Sequence, residues 1–153
     1  MNELEPGSET TGSPDTRDGW SLLFAAWLIA AVATLGSLFL DKVLGMAPCS
    51  LCWFQRVFMY PLAIVLLVGL LPLDQRVVRY ALPLAALGWI TAFYHLLMYA
   101  GVIPEALQPC GAGPSCTKDD LGLFGFVSIP LLSLLAFTLL MGLLLFFWKR
   151  TSK

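Results

Sequence analysis

Four long apolar runs dominate this chain and leave it few ways to fold. They cover roughly residues 20–40, 51–71, 80–100 and 123–148. Each supplies the about 20 helical residues that a bilayer crossing requires. The rest of the composition agrees. Hydrophobic residues make up 58% and charged residues 12%, against about a quarter charged in a soluble domain. The expected architecture is an all-α membrane protein: one four-helix transmembrane bundle over residues 20–148, with lipid as its solvent. A net charge of -1 offers nothing to nucleic acid, and no nucleic-acid partner is expected.

The first run is too long for the core of a signal peptide, and the stretch before it is acidic rather than basic. Residues 1–19 are polar and poor in apolar side chains, so they read as a disordered tail. Residues 149–153 form a short basic tail. Arg17, Arg76, Arg79, Lys149, Arg150 and Lys153 fall on one side of the expected bundle; Lys42, Arg56 and Lys118 fall on the other. By the positive-inside rule both termini are cytoplasmic. Trp20, Trp53 and Trp148 lie near the expected interfaces as anchors. Ala26, Ala30 and Gly36 would let the first helix approach a neighbour closely. Pro61 and Pro130 fall inside the second and fourth runs and are expected to kink them, either to open a lateral slot or as packing geometry alone.

This topology places all four cysteines on the outer face, where thiols meet an oxidising compartment. The first pair stands in P-C-S-L-C-W-F-Q-R, at the mouth of the second helix. Residues three apart share a helix face, so the sulfurs of Cys49 and Cys52 can reach bonding distance. The helix N-terminus favours a thiolate there. Arg56 follows on the same stripe, about 6 Å deeper at 1.5 Å per residue. Such a cation lowers a neighbouring thiol's pKa; the competing reading is an arginine that snorkels to headgroups. Gln55 either bonds the same ligand as Arg56 or faces a neighbouring helix.

Cys110 and Cys116 enclose G-A-G-P-S in the outer loop, residues 101–122. Glycine and proline let so small a ring close. It would staple little, and an exposed disulfide suits exchange. The stretch 104–108 could form a helical turn on the membrane surface, with Glu105 in it. Zinc would call for four thiolates at C-x(2–4)-C spacing. The C-x5-C pair and the oxidising side speak against that, and no metal is expected.

Two pairs on one face suggest an electron relay. A reduced protein attacks the Cys110–Cys116 bond, and the released thiol attacks the Cys49–Cys52 bond. The chain carries no haem, flavin or iron–sulfur motif, so the acceptor must itself dissolve in the bilayer. A quinone, ubiquinone or menaquinone, fits as a diffusible two-electron acceptor whose carbonyl oxygens a guanidinium can bond. The only histidine, His95, lies in Y-H-L-L at a depth near that of Arg56. It either lines the quinone pocket or is a neutral, hydrogen-bonded core histidine. Met98, three residues on, reads as packing. The non-catalytic alternative is a membrane scaffold with two structural disulfides.

These residues resemble the disulfide bond formation protein B (DsbB) family of thiol:quinone oxidoreductases. The resemblance rests on P-C-S-L-C-W-F-Q-R-V-F-M-Y-P-L, on Y-H-L-L, on the outer-loop pair and on G-F-V-S-I-P-L-L-S-L-L-A-F, and spans about residues 20–148. It implies a bundle in the bacterial inner membrane that reoxidises a DsbA-like, thioredoxin-fold oxidase outside the cytoplasm. By matching position, Cys110 would form the mixed disulfide, Cys116 would exchange with Cys49, and Cys52 would face the quinone with Arg56 as its polar contact and His95 nearby. The short outer loop, and Gln55 where the enterobacterial type has an acid, are more similar to the compact branch of Gram-positive relatives. In vitamin K epoxide reductase-like bundles the quinone-facing C-x-x-C lies on the fourth helix, whereas here it opens the second.

Overall fold

The computed structural model describes residues 14–72, 74–104, 107 and 128–151, with side chains from residue 19 onward. Cys110, Cys116, Glu105 and Lys118 lie outside the described residues. The described residues form four helices: α1 (Pro14–Lys42), α2 (Ser50–Leu70), α3 (Val77–Tyr99) and α4 (Ile129–Thr151). All four are long and apolar enough to cross a membrane. α1 begins six residues before the apolar run does, at Pro14. Proline is well suited to a first helical position because the N–H it lacks has no partner there anyway.

Each helix packs on the next, and α4 returns to α1 to close a four-sided bundle. The reason is periodicity. On α3, Ala81, Ala85, Gly88, Ala92 and His95 recur at intervals of three and four, and all five are buried. On α2, Gln55, Met59, Leu62 and Leu66 form the matching seam. Small residues on α3 bring the backbones together, and Phe137 of α4 fills the space against Gly88. A Cβ at position 88 would overlap that ring, so glycine is a packing requirement here. The opposite faces carry exposed apolar residues such as Val32, Ile64, Ile90 and Leu139. That inversion of the soluble pattern is what a lipid-facing surface requires.

Pro61 and Pro83 are inside α2 and α3. Pro130 differs from the expectation. α4 starts at Ile129, so Pro130 occupies the first turn, where no intrahelical hydrogen bond is lost and no kink is called for. At the site expected for the surface turn, the Leu107 N–H donates to the Pro104 carbonyl at 3.0 Å.

Candidate functional site

The site forms where the end of α1, the start of α2 and the end of α3 meet. Cys49 precedes α2 and serves as its N-cap, in an extended conformation (φ -68°, ψ 168°). Its Sγ accepts from the Cys52 backbone N–H at 3.4 Å. Sulfur thus takes the capping role that a serine oxygen commonly plays. This cap sets both sulfurs at the helix mouth, 3.0 Å apart.

The two thiols are not equivalent. Cys49 is fully buried, while Cys52 is partly open. The Cys49 thiol donates to the Cys52 sulfur. That bond, followed by burial, pushes the Cys49 pKa up to about 12, with His95 acting in the opposite direction. In the dithiol form the proton therefore stays on Cys49, and Cys52 is the less buried sulfur, in the lining of the neighbouring cavity.

His95 is completely buried and lies against Cys49, its Nε2 3.8 Å from Sγ. Its Nδ1 lies 3.1 Å from Gln55 Nε2. With the amide donating to Nδ1, the imidazole carries its proton on Nε2, toward the sulfur. Met98, also fully buried, packs with Cys49 and Leu51. The α3 seam Ala81–Ala85–Gly88–Ala92 ends in His95, so the packing that closes the bundle also delivers the imidazole to the cysteines.

Arg56 turns the other way, toward α1. It donates to Asp41 Oδ2 at 3.1 Å and to the Ser37 carbonyl at 2.8 Å, and its guanidinium lies 5.5 Å from the centre of the Trp53 ring. Its side chain is 10% exposed, so it is held inside the bundle rather than extended to headgroups. Ser37 Oγ and the Tyr60 hydroxyl, 3.3 Å apart, continue this polar cluster between α1 and α2.

A cavity of about 760 Å³ opens beside the pair. Cys52, Gln55 and Arg56 form its polar end, and apolar residues of α1 and α4 such as Val32, Phe39, Leu132 and Leu135 form its walls. Gln55 reaches His95 of the neighbouring helix α3 and also lines the cavity. His95 is not among the lining residues. It sits behind Cys49, in the arrangement of the hydrogen-bonded core histidine. Sequence reasoning missed Asp41. It directly follows the first apolar run, and only folding sets it opposite Arg56, 15 positions away.

Residues 19–147 match the family described as "Disulfide bond formation protein DsbB". The chain is 48% identical to a "Probable disulfide formation protein" of Metapseudomonas resinovorans, over 87% of this chain and 93% of that one. It is 38% identical to the "Disulfide bond formation protein C" of Bacillus subtilis (strain 168), over 77% and 86%. It is 44% identical to a "Probable disulfide formation protein" of Coxiella burnetii (strain CbuK_Q154), over 80% and 84%. No solved structure gives a significant match.

Proposed function

This chain belongs to the DsbB family of disulfide bond formation proteins, and from that premise we propose that it is a membrane protein-dithiol:quinone oxidoreductase. Membership gives it a role in disulfide bond formation, as a multi-pass membrane oxidoreductase. The finer reading is that it reoxidises a DsbA-like thioredoxin-fold oxidase outside the cytoplasm and passes the electrons to ubiquinone or menaquinone in the bacterial inner membrane.

One observation carries the quinone assignment: Cys52, an apolar wall and the paired Arg56 line one cavity. Its volume falls in the range of small-molecule sites, about 300–1,000 Å³. Its lining is apolar apart from Ser37, Cys52, Gln55, Arg56 and Ser133, which suits a molecule with a polar ring and an isoprenoid tail. Asp41 and the Ser37 carbonyl occupy two of the five guanidinium N–H donors, leaving others for a ring oxygen. When bound, the quinone supplies the two-electron acceptor.

The chain's own part follows from the asymmetry of its thiols. A partner dithiol exchanges with Cys110 and Cys116, which pass the electrons to Cys49 and Cys52. Cys49, hydrogen-bonded and buried, keeps its proton; Cys52 presents the reactive sulfur to the cavity. Reoxidation to the Cys49–Cys52 disulfide releases two electrons and two protons, which leave as quinol. Arg56 offsets the charge that develops on the ring oxygen and on Cys52. His95 orients Cys49 from behind. In this reading both termini are cytoplasmic and the cysteines face outward.

Turnover of the purified protein in detergent tests the proposal. A reduced thioredoxin-fold oxidase is expected to be oxidised only when quinone is supplied, and Cys52→Ser is expected to abolish this. Full turnover without quinone, or in Cys52→Ser, overturns it. In cells, both pairs should become reduced when quinone is depleted; pairs that stay oxidised would instead mark a scaffold with structural disulfides.

A further inference from the structure

Four thiolates are not the only donor set that suits zinc; cysteines and histidine together also serve. Folding adds a different donor. Cys49 Sγ, Cys52 Sγ and His95 all offer ligand atoms that lie within 4.8 Å of one another. We propose that the reduced Cys49–Cys52 pair and His95 form a binding site for one thiophilic d10 cation, such as Zn²⁺, and that loading it holds the pair reduced and out of electron transfer.

The geometry is close to what such an ion needs. Zn–S bonds of about 2.3 Å and Zn–N bonds of about 2.0–2.1 Å on a tetrahedron put sulfur about 3.8 Å from sulfur and about 3.5 Å from nitrogen. The structure has 3.0 Å between the sulfurs and 3.8 Å between Cys49 Sγ and Nε2. A side-chain rotation of Cys52 suffices to open the first distance. Spacing of the C-x-x-C type at a helix start, with the first cysteine capping the helix, holds both sulfurs on one side of the ion. The cavity beyond Cys52 leaves space for a fourth ligand.

A metal-binding histidine has its second nitrogen fixed by a hydrogen bond. Gln55 already stands 3.1 Å from Nδ1. An amide turned over presents its oxygen to Nδ1–H, which leaves the Nε2 lone pair free to coordinate. Charge balance also fits. A divalent ion with two thiolates and a neutral imidazole carries no net charge, so burial at this depth costs little, and Arg56 is already paired with Asp41. Loading replaces two S–H protons and releases them; no electrons move. Oxidation to the disulfide removes both thiolates and with them the site.

Binding is measured without quinone or partner, so its outcome is independent of the proposed relay. The protein with Cys110→Ser and Cys116→Ser, reduced and in detergent, is titrated with Zn²⁺, and with Cd²⁺ to follow the thiolate charge-transfer absorption. One ion per chain is expected for the reduced form and none for the disulfide form. His95→Ala should weaken binding by more than tenfold, and Gln55→Ala by about tenfold. X-ray absorption on the zinc-loaded protein, with His95 in place, should report two sulfurs and at least one imidazole nitrogen. Equal binding to both redox forms, unchanged affinity in His95→Ala, or a zinc shell without sulfur overturns the proposal. Inhibition is read separately: Zn²⁺ added to the reduced protein should stop turnover with quinone, and a chelator should restore it. Full turnover by a zinc-loaded protein would remove the inhibitory role.

Discussion

Arg56 on α2 and Asp41 at the end of α1 form an ion pair at 3.1 Å, and the same guanidinium takes the Ser37 carbonyl as a second partner. The pair ties two helices together and holds a fixed cation in the lining of the cavity that Cys52 also lines. An unpaired arginine at membrane depth costs about 2.5–3.5 kcal/mol at the helix centre. Pairing, with a tryptophan face beside it, offsets that cost and sets the direction of the charge.

Removing the carboxylate should therefore affect quinone use more than folding. Asp41→Asn is expected to raise the quinone KM about tenfold, equivalent to about 1.4 kcal/mol, with a smaller loss in kcat. Arg56→Lys should behave alike, because an ammonium cannot hold both α1 acceptors in a fixed plane. Steady-state kinetics with a short-chain quinone separates KM from kcat; an unchanged KM in Asp41→Asn would make the pair purely structural.

The two thiols of the reduced pair should label unequally. Cys49, which precedes the membrane span, is pushed up to about 12 from an ordinary value of 9.0. Below pH 12 it holds its proton and is a poor nucleophile. Maleimide at pH 7–9 is expected to modify Cys52 and spare Cys49, as read by mass spectrometry of digests. The linkage sign follows. Between pH 9 and 12 the folded chain keeps a proton that the unfolded chain has released, so stability of the reduced form falls as pH rises through that window. Equal labelling at pH 8 would contradict the asymmetry.

Gln55 and His95 should act as a unit on Cys49. Single changes to Ala at either position are each expected to shift the thiol–disulfide equilibrium of the pair, and the double variant should shift it by less than the sum. Coupling of about 0.5–3 kcal/mol is usual for residues in one hydrogen-bond network. Redox titration of the four variants measures it. Additive shifts would separate Gln55 from the imidazole.

Gly88 tests the bundle itself. Gly88→Ala places a methyl group into the Phe137 ring and is expected to destabilise the α3–α4 contact by about 1–3 kcal/mol. The reading is a lower thermal midpoint in detergent. Gly142, beside which a Cβ meets nothing within 4 Å, supplies the control: Gly142→Ala should leave the midpoint unchanged or raised.

The amino-acid sequence by itself determined the number and kind of elements, because apolar length and helical period are local properties. It also exposed Cys49, Cys52, Arg56 and His95 as candidates, since thiols and charges stand out against an apolar background. Only the tertiary structure decided their partners. His95 turns toward Cys49 and Gln55 because the small-residue seam of α3 faces the seam of α2. Arg56 turns toward Asp41 because α1 ends opposite the second turn of α2. Pairings of this sort depend on how helices far apart in sequence lie side by side, and no local pattern encodes that.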